Sequence, residues 1–221
     1  MNGFPPPRIV DAGGVRLAVH DAGHGPAVVL VHGWPEIAYS WKNQMPAVAG
    51  AGFRAIAPDL KGFGGSEAPK DKALYDIRHV TDDLARLLDA LSIDRAVFVG
   101  HDWGGLIVWP MAQLHADRVA GVVGVCTPHL APRAKPPITM LTERFGPNHY
   151  IVRFQKDGDA EACFTGREDT FFEFMFRGPA PRAVWPKLIP GVFDVITHFD
   201  AFKRADPAHV VVPEADRAVY A

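Results

Sequence analysis

The chain has 221 residues, enough for one full-sized domain or one domain carrying a smaller insertion. Lys and Arg number 23 against 25 Asp and Glu, a net charge of -2, which excludes a strongly basic nucleic-acid-binding surface and an acidic disordered tail. With 48% hydrophobic and 22% charged residues the composition is that of an ordinary globular protein.

Strand and helix alternate over the first 130 residues. Residues 15–20 and 27–31 read as strands, the second (AVVLV) a continuous apolar run of the kind buried on both faces. A helical stretch is expected over 40–51 and a strand over 53–57 (FRAIA). The loop PDLKGFGGSEAP follows, whose glycines and prolines forbid a helix. Over 79–92, Val80, Leu84, Leu87, Leu88 and Leu91 recur at helical spacing, an amphipathic helix. A strand at 96–99, a helix at 103–115 and a third apolar strand at 119–125 (VAGVVGV) complete the pattern. Such alternation predicts an α/β fold, a mostly parallel sheet with helices on both faces. After Cys126 the texture changes: prolines and aromatic clusters such as TFFEFMF (170–176) predict a helix-and-loop region, with the boundary near residue 130.

The two cysteines, Cys126 and Cys163, form no CxxC and no zinc-ligand spacing, so neither a disulfide framework nor a metal site is expected. The segment MNGFPPPRIV lacks a signal peptide's charged-then-apolar run, and no stretch approaches the roughly 20 apolar residues that span a membrane. A soluble cytoplasmic protein without membrane or nucleic-acid partners is the expectation.

The most informative segment is VFVGHDWGGL. A strand runs into Gly100-His101-Asp102-Trp103-Gly104 and then into a helix, the G-x-nucleophile-x-G spacing of a nucleophile elbow with Asp at its centre. The glycines suit a turn so sharp that a flanking Cβ would clash. The central carboxylate is presented at a helix N-terminus, where the dipole favours negative charge by about 0.3–1 kcal/mol, and a carboxylate there can attack carbon to form an ester. A lone Gly-x-Asp-x-Gly is also met as a simple turn with Asp as N-cap. Here a second motif, VHGWPE, ends the AVVLV strand, with His32 lying 70 residues before Asp102. Gly33 allows a tight turn and Pro35 fixes the backbone that follows. The N–H groups of Trp34 and Trp103 are expected to converge as an oxyanion hole, each such donor being worth about 10²–10³ in rate. His32 reads as structural support, bonding backbone to hold the loop.

With both motifs in view, the chain resembles the α/β-hydrolase superfamily, in its soluble epoxide hydrolase branch. The likeness runs through HGWPE, PDLKGFGGSEAP, GHDWGG, VCTPHLAPR and FGPNHYIVRFQKDGDAEA. It implies an α/β-hydrolase core over residues 1–130, carrying the first six strands, and an incomplete helical lid over 131–221. It implies that Asp102 opens an epoxide to a diol through an alkyl-enzyme ester, with Tyr150, ahead of Phe154 and Gln155, protonating the leaving oxygen. A histidine oriented by an acid then activates water. No cofactor or metal is implied, and Trp34, Trp103, Trp109 and the lid phenylalanines suggest a small apolar epoxide.

The chain departs from this pattern at its end. Acid and histidine belong on late loops beyond the lid, whereas PEADRAVYA reads as a lid helix in progress. His101, His115, His129, His149, His198 and His209 do not follow a late strand, and Cys126 and Thr127 carry no carboxylate. Base and acid are therefore expected to be missing, the chain to be a fragment with an open edge at strand 119–125, and that edge to invite aggregation or pairing with another copy. Lys61 stands where arginine is expected, and Pro110 should kink the helix after the elbow. A haloalkane dehalogenase shares the Asp nucleophile, but Trp34 occupies the place where many carry Asn, and Tyr150 argues for an oxygen leaving group. Trp103 likewise replaces the arginine expected of a fluoroacetate dehalogenase. A non-catalytic remnant or ligand-binding relative is the reading from another class.

Overall fold

A computed structural model describes residues 4–130, 134–176, 195, 199 and 212–220. The chain divides into two compact units, Met1–Leu130 and Ala131–Ala221.

The first unit is a six-stranded sheet ordered β1-β2-β4-β3-β5-β6. Its strands are β1 (Arg8–Asp11), β2 (Arg16–Ala22), β3 (Ala27–Val31), β4 (Arg54–Pro58), β5 (Ala96–His101) and β6 (Val119–Val125). The pairs β1–β2 and β2–β4 are antiparallel, and β4–β3, β3–β5 and β5–β6 are parallel. All five residues of β3 are buried, because their alternate side chains enter different cores. Ala27, Val29 and Val31 pack with Leu84, Leu87, Leu88, Val108 and Met111. Val28 and Leu30 pack on the other face with Ala38, Trp41 and Met45. A helix layer therefore covers each face of the sheet, as the unbroken AVVLV run requires.

The expected helix over 79–92 is α2 (Ile77–Ala90). It begins earlier because the Asp76 carboxylate accepts the His79 N–H at 2.9 Å, a side-chain cap that fixes the start. Leu84, Leu87 and Leu88 are fully buried, each contributing about 1.5–3 kcal/mol by leaving water. The stretch expected as one helix over 40–51 is instead a 3-10 turn, Ala38–Trp41, followed by α1 (Gln44–Gly50). After the elbow, α3 (Trp103–Leu114) runs on through Pro110. One further correction concerns a strand. β1 has no counterpart in the sequence reading, because four residues pairing only with β2 carry little periodic signal. Among the described residues β6 pairs only with β5, and Val123 and Val125 are 48% and 37% exposed, in keeping with the open edge expected there.

The second unit is helical over its described parts: α4 (Pro137–Phe145), α5 (Tyr150–Arg153), α6 (Asp159–Phe164), α7 (Glu168–Met175) and α8 (Glu214–Tyr220). The aromatic cluster of the sequence is its core. Phe171, Phe172 and Phe174 of α7 are buried, with the Phe171 ring 4.4 Å from Phe164 and the Phe172 ring 5.7 Å from Tyr220 of α8. No helix among the described residues is long and apolar enough to cross a membrane.

Candidate active site

The site sits where β3 and β5 end side by side, Val31 facing Gly100 in parallel register. Asp102 links β5 to α3 with φ 52° and ψ -117°, a region that L-residues avoid. Holding it there costs about 1–3 kcal/mol, which the surrounding structure must offset. Glycine is obligatory on either side. A Cβ at Gly100 would fall on the carbonyl of Gly104, and a Cβ at Gly104 on the carbonyl of Val31. The elbow can therefore form only with both glycines in place.

Asp102 occupies the N-cap position of α3, yet its side chain makes no capping bond to that helix. Its carboxylate turns instead to the loop after β3, where the Trp34 N–H donates to Oδ1 at 3.2 Å. That approach depends on Gly33, since a Cβ there would lie 2.6 Å from the Asp102 Cβ and 2.9 Å from Oδ1. The Glu36 N–H closes the loop on the Gly33 carbonyl at 3.0 Å, and the Trp34–Pro35 peptide is cis. The structure thus brings together Gly33, Trp34, Asp102 and the first turn of α3, which Trp103 begins.

His32 lies beneath this loop, 0% exposed. Its Nε2 accepts the Leu60 N–H at 2.9 Å, so Nδ1 carries the proton donated to the Gly33 carbonyl at 2.9 Å. Burial lowers its pKa, which keeps the ring neutral and suits it to this one-proton arrangement. Asp59, at the start of the loop after β4, accepts the Ala38 N–H and the Gly65 N–H at 2.9 Å each, tying both loops beside the site.

Three features escape motif reading. His101 Nδ1 meets Glu36 Oε2 at 3.1 Å, joining the elbow to the VHGWPE loop, and the Glu36 carboxylate raises the His101 pKa. The lysine in the place of the expected arginine, Lys61, is buried in an ion pair with Asp83 of α2 at 2.6 Å, its Nζ 5.6 Å from the Tyr75 ring centre. Burial raises the Asp83 pKa. Finally, an apolar cavity of about 340 Å³ opens beside the loop and elbow, walled by Trp34, Trp103, Phe63, Tyr75, Ile77 and Leu106.

The other histidines have local roles. His115 pairs with Asp82 at 3.1 Å, His129 meets Gln113 at 3.2 Å, and His149 caps α5 by accepting the Ile151 N–H. His198 and His209 lie outside the described residues. Tyr150 opens α5 in the second unit, its ring stacked on His149 at 5.2 Å and edge-on to Phe154 at 5.5 Å. Gln155, in the turn after α5, donates from Nε2 to the Ile151 carbonyl at 3.1 Å. Among the described residues no group of three or more His, Cys, Asp or Glu is placed to hold a metal ion.

Comparison with known proteins places these features in a family. The profile of the alpha/beta hydrolase fold family matches residues 26–178. The chain is 48% identical over 197 residues to epoxide hydrolase A of Mycobacterium tuberculosis, covering 86% of this chain and 61% of that protein. It is 38% identical over 182 residues to an epoxide hydrolase of Caballeronia sordidicola, covering 81% of this chain and 49% of the relative. The chain thus spans about half to two thirds of the length of these curated relatives. Among solved structures, epoxide hydrolase A of Mycobacterium thermoresistibile superposes with a TM-score of 0.81 at 35% identity, covering 98% of this chain and 69% of that one. An epoxide hydrolase of Vigna radiata superposes with a TM-score of 0.81 at 29% identity, covering 97% and 66%.

Proposed function

Because the chain belongs to the α/β-hydrolase fold family, we propose that it opens small apolar epoxides by covalent attack of Asp102. The observation that carries this reading is the strained elbow carboxylate, which does not cap its helix and has Oδ1 engaged by the Trp34 N–H. The names of the relatives support an epoxide over a haloalkane as substrate.

In this reading Oδ2 of Asp102 attacks one ring carbon. The carbon–oxygen bond breaks, its electron pair passes to the ring oxygen, and that oxygen takes the Tyr150 hydroxyl proton. The product is a β-hydroxyalkyl ester of Asp102. Cleaving the ester requires water to add at the carboxyl carbon, which gathers negative charge on Oδ1. The Trp34 N–H already meets that atom, and the Trp103 N–H is its proposed second donor. Gly33, Pro35, Gly100, Gly104 and His32 hold these groups in place. The cavity walled by Trp34 and Trp103 takes the substituent of the epoxide. Residues 131–221 act as the lid that carries Tyr150.

Water must lose a proton as it adds. We assign neither the base nor its orienting acid within these 221 residues. Incubating the chain with styrene oxide, then mapping peptides by mass, tests the nucleophile. An adduct on Asp102 is expected. Label elsewhere with Asp102 unmodified sinks the assignment.

A further inference from the structure

We propose that Thr127, in the segment leaving β6, is a positioning residue: its hydroxyl sets the orientation of the Asp102–Trp103 peptide and so aims the Trp103 N–H at the carboxylate. The consequence for reaction rests on Asp102 being the nucleophile; the peptide orientation does not.

The argument begins with one carbonyl. The Asp102 oxygen accepts the Leu106 N–H at 3.2 Å, the ordinary first bond of α3. It also accepts the Thr127 hydroxyl at 2.8 Å, from a residue 25 positions away on another element. A peptide unit is planar, and in its trans form the C=O and N–H point in opposite directions. Fixing the Asp102 oxygen on the Thr127 side therefore fixes the Trp103 N–H on the opposite side, outward from the start of α3. At φ 52° the ψ of -117° is what strains Asp102, and turning the 102–103 plane changes that ψ, so the peptide has a reason to rotate away. A helix bond alone tolerates such tilting, whereas a second donor from a separate element restricts it.

Thr127 is itself held. The Trp109 indole N–H donates to its carbonyl at 2.9 Å. Two glycines make room for this arrangement: a Cβ at Gly105 of α3 would fall on the Thr127 side chain, and a Cβ at Gly124 of β6 on the Thr127 carbonyl, 2.9 Å from the Trp109 indole nitrogen. Helix and strand each open where Thr127 inserts. Oxyanion donors act only when aimed at the charge that develops, and the hydroxyl of Thr127 supplies that aim from behind the peptide.

Labelling the 221-residue chain with [15N]tryptophan gives five backbone amide signals, among them Trp34 and Trp103. Thr127→Val keeps the shape and removes the donor; Thr127→Ser keeps the donor. The Trp103 amide should move in Thr127→Val and stay near its wild-type position in Thr127→Ser. With styrene oxide, adduct formation on Asp102 should slow about tenfold or more in Thr127→Val and stay within about threefold in Thr127→Ser, since misplacing reacting groups by a fraction of an ångström costs rate steeply. An unmoved Trp103 amide, an unchanged alkylation rate, or a serine variant behaving like valine overturns the proposal. If Thr127→Val does not fold, Thr127→Ala carries the same two readouts; loss of fold in both also overturns it, because the role would then be structural. If the wild-type chain forms no Asp102 adduct, the nucleophile assignment fails by itself and the amide signal still decides the peptide orientation.

Discussion

Replacing Gly33 by alanine tests the link between loop and nucleophile most directly. The new Cβ would stand 2.6 Å from the Asp102 Cβ, 2.8 Å from the His101 carbonyl and 2.9 Å from Asp102 Oδ1. Ordinary contact begins at 3.4 Å, so loop and elbow must separate by about 0.8 Å. The Trp34 N–H bond to Oδ1, 3.2 Å at present, then passes out of hydrogen-bonding range. Two effects follow. Crowding a packed site lowers stability by about 1–3 kcal/mol. A displacement near 1 Å at a reacting group costs about 10²-fold in rate, so adduct formation on Asp102 with styrene oxide should fall by about that factor. The assay is a quenched time course read by intact-protein mass, with unfolding in urea measured in parallel so that folded protein alone is compared. Gly33→Ala alkylating Asp102 at the wild-type rate, with an unshifted urea midpoint, would refute the claim that Gly33 exists to admit the carboxylate.

Tyr150→Phe should slow the same alkylation by about 10²–10⁴ if the hydroxyl is the proton donor, and an unchanged single-turnover rate would leave Tyr150 as packing. Glu36→Gln should flatten the pH dependence of stability. Because Glu36 raises the His101 pKa above its ordinary 6.5, the pair's stabilisation is complete below pH 6.5 and is lost as pH rises through the folded-state value. Urea midpoints from about pH 5.5 to 8.5 that fall equally in wild type and variant would contradict this. Lys61→Met leaves the Asp83 carboxylate buried without its partner, and should cost about 3–5 kcal/mol in urea unfolding, largely restored by adding Asp83→Leu. A single variant as stable as wild type would mean that Asp83 is relieved by other means.

Much of the framework is legible in the sequence by itself. The AVVLV run announces a doubly covered strand, because alternate side chains must enter two different cores. The Val80 to Leu91 stripe announces α2, and Gly-x-Asp-x-Gly between a strand and a helix announces the elbow. These features are local: periodicity reports which face of an element is apolar, and glycine reports where a Cβ has no room. The same logic places Trp34 after the buried strand, since VHGWPE must turn as β3 ends.

Other features required the fold. The short β1 leaves too few residues for a pattern. The break at Lys42 and Asn43 between the 3-10 turn and α1, by contrast, follows from Pro46, which has no N–H for the Lys42 carbonyl and is tolerated only in the first turn of a helix. Whether Asp102 caps its helix or faces the opposite loop is undecidable from a pentapeptide that permits both. The contacts His101–Glu36 and Thr127–Asp102 join residues 65 and 25 positions apart. No periodicity links such residues. They meet because the parallel order β3-β5-β6 sets the ends of those strands side by side, and a polar group there takes the partner that strand order brings within reach.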